Sequence, residues 1–370
     1  MNRRDFLSLT SGSLIVLASG ASVAVAGEGD VVFGVVLPLT GPSASIGEDQ
    51  RRGVELALGK INAEGGVLGK PLKVMIEDSA GTAQTALDAA RKLGSVNKAS
   101  VVMGEYSSGV TLPLREALAR QGITHVNIGS SSVKLRKAGS GTSFSVIGLD
   151  DLISKFMAQK LVAMGYKTAA IILPNNAYGE SMKSEFAKAY EAAGGKMVGD
   201  LLYTEGQPSY RRELQQLLRS SPEVFVYSAY GQEAANLNRE GFELGLKKTP
   251  WFGIYLSMCI SDAPAKTVEG QMGVDVNFVG PNSAWYRDAY KAKYGEDLRS
   301  AYSGYAYDAV MMAAKAINAA GKTGPESIIP SARTLTYQGA TGAIALDADN
   351  ERAKQDYLLL KVVDGKMIEQ

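Results

Sequence analysis

Short unbroken apolar runs alternate along this chain with amphipathic stretches of helical period, and that alternation restricts the fold more than any other feature. Residues 31–37 read VVFGVVL. A run of this kind suits a strand buried on both faces, as in a parallel sheet covered by helices. A turn over 38–47 leads into a helical pattern over 49–64, stopped by Gly65 and Gly66. A second strand is expected over 72–77, a helix over 82–96, a third strand over 100–103 and a fourth over 123–128. Strand and helix repeated in this order predict an α/β fold, a parallel sheet with helices on both sides.

The pattern then restarts. Helices are expected over 150–164, 178–193, 210–220 and 232–244, with strands over 168–173, 198–203, 224–228 and 251–254. The last hundred residues mix helices over 284–294 and 302–319 with a terminal strand pair, 341–346 against 357–362. Asp364-Gly365 suits a hairpin turn before the final residues. No low-complexity linker separates the two βα modules, so the expectation is two intimate lobes.

Composition removes several classes of function. The 39 Lys and Arg balance 38 Asp and Glu, and no basic block is present that would hold a phosphate backbone, so nucleic acid is not an expected partner. No segment after the first 26 residues is long and apolar enough to span a bilayer, so no stable membrane insertion is expected. A length of 370 residues suggests two domains. With one cysteine, Cys259, no disulfide can form within the chain. Cys259 reads as a small buried apolar residue.

The first 26 residues form an export signal. A basic head with Arg3 and Arg4 precedes a short apolar stretch around 14–17, and Ala24-Val25-Ala26 suits cleavage near Ala26. Arg3-Arg4 followed by Asp5-Phe6-Leu7 resembles a twin-arginine signal. No cysteine lies near the cleavage site to carry a lipid, so the expected location is a Gram-negative periplasm.

Motifs for catalysis are missing. The chain has no G-x-S-x-G and no G-x-G-x-x-G. Gly321-Lys322-Thr323 imitates the end of a phosphate loop, but Ala316 stands where its first glycine belongs, and the turn reads as a helix end. The one histidine, His125, falls inside the fourth strand and reads as a packed residue. One histidine and one cysteine cannot build a nitrogen- or sulfur-rich metal site. Neither an enzyme nor a bound cofactor or metal is expected.

Several short motifs in order carry a family resemblance. They are Gly34-Val-Val-Leu-Pro-Leu-Thr40-Gly41-Pro42 with Gly47, Gly53-Val-Glu-Leu-Ala, Ile61-Asn-Ala-Glu-Gly-Gly66-Val-Leu-Gly69, Gly104-Glu-Tyr-Ser107-Ser108, Asn176-Ala-Tyr178-Gly179, Tyr305-Ala-Tyr-Asp308 and Thr341-Gly342 with Asp347. Over residues 31–370 the chain resembles the periplasmic leucine/isoleucine/valine-binding proteins, type I solute receptors of ABC importers. The resemblance implies two doubly wound lobes joined by three crossover segments. Lobe one would take 31–147 plus 278–335, and lobe two 148–277 plus 336–370. It also implies a monomer that captures a small solute and delivers it to an inner-membrane ABC permease. The solute would be a branched-chain amino acid or a related small amphiphile.

The resemblance also points to site residues. Ser107, with Tyr106 and Ser108 beside it, lies before a helix whose free N–H groups favour a carboxylate. Ser131 matches a second hydroxyl on that carboxylate, and Gly129 or Ser130 a backbone N–H. Tyr178 and Tyr230 match cleft positions of the second lobe, where a ring closes over solute. Ile46 and Tyr302 match positions that touch the solute side chain.

One position departs from the family. Amino-acid binders of this family often carry an acidic residue just after the strand ending near Gly253, where it pairs with the ligand ammonium. Here Tyr255 stands in that place. An ammonium buried without a carboxylate is costly. Either another acid takes the role, Glu105 being the nearest candidate, or the solute is an amide, a urea-like molecule or a small or aromatic carboxylate.

Overall fold

The computed structural model describes residues 31–139, 141–280 and 282–370, so the expected export signal, residues 1–26, lies outside the described residues. In chain order the first lobe begins β1 (Val31–Leu37), α1 (Ala44–Ala63), β2 (Leu72–Asp78), α2 (Ala83–Ser95), β3 (Val101–Gly104), α3 (Ser108–Arg120), β4 (Thr124–Asn127) and β5 (Ser143–Ser145). The second lobe follows with α4 (Asp150–Ala163), β6 (Thr168–Pro174), α5 (Ala177–Ala192), β7 (Lys196–Tyr203), α6 (Arg211–Leu218), β8 (Val224–Tyr227), α7 (Gly231–Glu243) and β9 (Trp251–Ile254). It continues with α8 (Leu256–Ile260), α9 (Ala265–Val268) and β10 (Met272–Val276). The chain then adds α10 (Ala284–Tyr294), α11 (Tyr302–Ala320), α12 (Pro325–Thr334), β11 (Tyr337–Gly339), β12 (Gly342–Ile344), β13 (Tyr357–Val363) and β14 (Lys366–Glu369).

β1 shows why the first sheet is buried on both sides. Its side chains alternate: Val31, Phe33, Val35 and Leu37 pack with Val54, Ala57 and Ile61 of α1 and with α11. Val32 and Val36 pack with Ala86, Ala90 and Leu93 of α2 and Leu114 of α3. The sheet has the order β2-β1-β3-β4-β5, and all its pairs are parallel. Gly53 lets α1 and α11 meet at backbone contact, because a Cβ there would collide with the Ser303 carbonyl oxygen.

The second sheet repeats the scheme. Ala169, Ile171 and Leu173 of β6 face α4 and α5. Ala170 and Ile172 face Leu214, Leu217, Ala234 and Leu237 of α6 and α7. The order is β14-β13-β10-β9-β8-β6-β7, parallel from β10 to β7, with β13 and β14 antiparallel. Asp364 and Gly365, both at positive φ, make the hairpin turn between β13 and β14.

Two expectations about the C-terminal region are corrected. Residues 341–346 and 357–362 do not pair with each other: β12 pairs with β11, and β13 adds to β10. The return to the second lobe also comes later than residue 336. The buried Asp308 carboxylate on α11 accepts hydrogen bonds from Ala340 N at 2.6 Å and from Thr341 N and Oγ1 at 2.9 and 2.6 Å, fixing β11 and β12 to the first lobe. Arg352 then donates to the Val146 and Thr341 carbonyls at 2.9 Å each, and Glu351 pairs with the buried Arg115 at 2.8 Å. The chain therefore crosses back between Arg352 and Tyr357. Among the described residues no helix is long and apolar enough to cross a membrane.

Cys259 is buried and unpaired. His125 is fully buried, its Nε2 2.6 Å from the Gly104 carbonyl and its Nδ1 3.3 Å from Arg115 Nε. Burial, reinforced by the neighbouring guanidinium, lowers its pKa to about 3, so the ring is neutral. Gly321 takes the left-handed position that ends α11, as the turn reading of Gly321-Lys322-Thr323 requires.

Candidate functional site

Between the lobes, where loops leave the carboxyl ends of β3, β4, β6, β8 and β9, lies a small cavity of about 30 Å³. Parallel sheets put ligand sites at these strand ends. The first lobe contributes Tyr106, Ser107 and Ser108 after β3, Gly129 and Ser131 after β4, and Tyr302 at the start of α11. The second lobe contributes Tyr178, Ser228, Tyr230, Tyr255 and Met258. Among the described residues the lining therefore holds five tyrosines, four serines, a glycine and a methionine, and no charged side chain.

The polar end is built by the first lobe. Ser107 is the residue before α3, but its side chain makes no capping bond, so the hydroxyl is left to the cavity. The first N–H groups of α3, those of Ser108 and Gly109, have no carbonyl behind them in the helix. The Ser108 hydroxyl accepts from Ser132 N at 3.3 Å and is committed to the next loop.

Asn127 decides which N–H of that next loop is free. Its Oδ1 accepts from Gly129 N at 3.3 Å and Ser130 N at 2.9 Å. Neither expected N–H donor is available, and the Ser131 N–H has no partner among the described residues. Gly129 is needed for close approach, since a Cβ would lie 2.8 Å from Tyr106 Cα. Ser130 is buried behind the cavity: its Oγ lies 2.5 Å from Thr111 Oγ1 and donates to the Tyr106 carbonyl at 3.0 Å. It ties the two serine loops together and does not line the cavity.

Glu105 is also turned away. Its Oε1 accepts from Ser79 Oγ at 2.6 Å, and its Oε2 accepts from Ser107 N at 2.7 Å. Both oxygens help to hold the loop before α3, and Glu105 lines a chamber beside the inner cavity, not the inner cavity itself. Burial raises its pKa, opposed by those hydrogen bonds.

The tyrosines form the body of the cavity. Tyr178 donates to Ser228 Oγ at 2.9 Å, and Tyr230 donates to Glu205 Oε1 at 2.9 Å. Tyr106 meets Tyr302 edge to face with centroids 5.3 Å apart. Tyr255 sits at φ +56°, a strained turn for a tyrosine, and its buried hydroxyl has no hydrogen-bond partner among the described residues. Burial holds all five phenols well above their usual pKa, so they are neutral. Ile46 lies outside this cavity, in a second chamber beside it.

Sequence reasoning missed three residues. Ser228 follows β8 directly, so the strand-end rule alone could have found it. Met258 had no signal, because its place depends on the turn at Tyr255. The third is Asp150, the first residue of α4. It is fully buried, its N–H donates to the Ser131 carbonyl at 2.7 Å, and neither carboxylate oxygen has a hydrogen-bond partner among the described residues. Burial raises its pKa to about 7; the nearby Ser181 and Ser131 hydroxyls oppose the shift without completing a hydrogen bond. Its bond to the Ser131 carbonyl sets it beside a residue of the cavity wall, although it does not itself line the cavity. In sequence it looks like any acid in a first helical turn.

Residues 30–366 match the family described as periplasmic binding protein. A leucine-, isoleucine-, valine-, threonine- and alanine-binding protein of Pseudomonas aeruginosa is 26% identical over 350 residues, covering 93% of this chain and 92% of the relative. A leucine-binding protein from Thermotoga maritima superposes with a TM-score of 0.84 at 21% identity, covering 92% of this chain and 97% of its own. A solute-binding protein from R. palustris in complex with 4-hydroxybenzoate superposes with a TM-score of 0.83 at 18% identity, covering 92% and 95%.

Proposed function

The chain belongs to the periplasmic binding protein family, the solute-binding components of ABC importers, and we propose that its solute is an α-amino acid of the branched-chain class or a close relative. The observation that carries this reading is the unpartnered Asp150 carboxylate behind Ser131 and Tyr178, close to an end of the cavity rich in hydrogen-bond donors. The Ser107 hydroxyl, the Ser131 hydroxyl and N–H, and the start of α3 would hold the ligand carboxylate. The ammonium would rest against Ser131 and Tyr178, with Asp150 supplying the opposite charge that Tyr255 lacks. The tyrosines would enclose the rest.

A second reading has one specific observation in its favour. The lining itself carries no charge and is rich in rings, and the R. palustris neighbour binds an aromatic carboxylate. Glu105, Glu205, Glu233, Asp49 and Asp262 line the two chambers that open beside the cavity, where Arg299 is the only basic residue among those described. That field opposes a solute of net negative charge. A thermal-shift screen of branched-chain amino acids, amides and benzoates separates the readings, because a ligand of the folded state raises its melting point. Stabilisation by a benzoate with none by any amino acid would overturn the first reading.

In the same proposal the protein is exported through a twin-arginine signal cleaved near Ala26, and works as a monomer. The two lobes close on the solute and present it to an inner-membrane permease. No catalysis is part of this role. Lysines in place of Arg3 and Arg4 should block export; unchanged export would leave only the general secretory route.

A further inference from the structure

A second chamber, of about 340 Å³, lies against the inner cavity and shares Tyr230, Met258 and Tyr302 with it. Both lobes build it, with Ile46 and Asp49 from α1 on one side and Ser257 and Asp262 from the second lobe on the other. The shared wall contains an unbranched methionine, whose thioether adapts its shape more readily than a β-branched or aromatic side chain. The carboxylate-holding serines line the inner cavity, whereas the outer chamber lies beyond Tyr230, Met258 and Tyr302. A solute anchored at the serines and extended past these three residues enters the outer chamber.

The outer chamber differs in chemistry from the inner one. It carries the hydroxyls of Ser45, Ser257, Ser261 and Ser300 and two carboxylates. Asp49 is committed, accepting from Tyr290 OH at 3.0 Å and from Ser300 Oγ at 2.6 Å. Asp262 is exposed and accepts only from its neighbour Ser261, at 3.2 Å, among the described residues. Arg299, the one cation described on the lining, is paired with Glu296 at 2.7 Å. Asp262 is therefore the carboxylate on this lining that no described cation or second residue engages.

We propose that the outer chamber is a tail subsite: past Met258 it accepts side chains longer than those of leucine, isoleucine and valine, and Asp262 favours tails ending in a cation. This rests on the head-group reading above and extends it from the branched-chain class to long, unbranched amino acids with a polar or cationic end.

Calorimetry with norvaline, lysine and Nε-acetyllysine tests it, because the three share a head group and differ in tail. Lysine and Nε-acetyllysine are expected to bind within about tenfold of norvaline, the loss of one or two small contacts. Asp262→Asn is expected to weaken lysine by about two- to fivefold, the scale of one exposed charge pair, and to leave norvaline and Nε-acetyllysine unchanged. Tight norvaline binding with both long ligands excluded would overturn the tail subsite and leave the head-group reading standing. No binding by any of the three would overturn both.

Discussion

Tyr106 of the first lobe meets Tyr230 of the second edge to face, with ring centroids 5.6 Å apart and planes at 85°. The contact crosses the cleft, so the wall of the cavity is also part of what holds the lobes together. Such a pair is worth about 0.5–1.5 kcal/mol beyond its buried area. Tyr230→Ala should weaken solute binding by at least that amount. Tyr230→Phe keeps the ring and loses only the hydroxyl's bonds, donated to Glu205 and accepted from Asn176, so it should stay within about 1 kcal/mol of the native affinity. Calorimetry on the two variants checks the order; equal losses would assign the effect to the hydroxyl.

Neighbouring serines should respond differently to substitution. Ser107→Ala and Ser131→Ala each remove a donor to a buried carboxylate and should cost roughly 1–3 kcal/mol of affinity. Ser130→Ala, in the same loop as Ser131, should act mainly on stability, because its hydroxyl bridges Thr111 and the Tyr106 carbonyl. Melting curves alongside binding isotherms separate the two. Native affinity in both Ser107→Ala and Ser131→Ala would mean that the carboxylate lies elsewhere.

Asp150 gives the site a pH dependence. Burial lifts its pKa from 3.8 to about 7, so the native state holds this proton more tightly than the unfolded chain does. Its contribution to stability therefore falls as pH rises between about 4 and 7. Binding of an ammonium has the opposite sign, since it needs the ionised carboxylate. Affinity for an amino acid should climb with pH up to about 7, by at most about tenfold per unit, and then level. Asp275 and Asp308, both near 6, titrate in the same window, so the difference between the native protein and Asp150→Asn isolates the effect. A profile unchanged by Asp150→Asn would remove Asp150 from the site.

How far the sequence could be read follows from what each element depends on. β9 (Trp251–Ile254) and α10 (Ala284–Tyr294) were legible to the residue, because a local apolar run or a helical period defines them. β5 was missed because Ser143–Ser145 is three residues long, and β10 because Gly273 and Asp275 interrupt its apolar pattern. The pairing of β12 was misread because it depends on Asp308, some thirty residues earlier on another element. At the site, strand-end loops of small polar residues were visible. Glu105 and Asp150 exchanged their expected importance, since only the structure reveals that Ser79 and Ser107 satisfy the first and no described residue satisfies the second.

Two glycines of α1 make a test of the fold apart from the site. Gly53 touches the α11 backbone, so Gly53→Ala should destabilise by about 1–3 kcal/mol or more. A Cβ at Gly59 would meet nothing within 4 Å, so Gly59→Ala should stabilise by up to about 1 kcal/mol. Urea unfolding of both variants reads the difference. Similar effects would mean that α1 and α11 are not in backbone contact at Gly53.

The amino-acid assignment is tested most directly by a calorimetric titration with leucine and with 4-methylpentanoate, which has the same carbon skeleton without the ammonium. The pair should be run on the native protein and on Asp150→Asn. The native protein is predicted to bind leucine at least tenfold more tightly, a preference of about 1.4 kcal/mol or more, and Asp150→Asn to lose most of it. Equal or tighter binding of 4-methylpentanoate by the native protein would contradict the pairing of an ammonium with Asp150, and with it the amino-acid assignment.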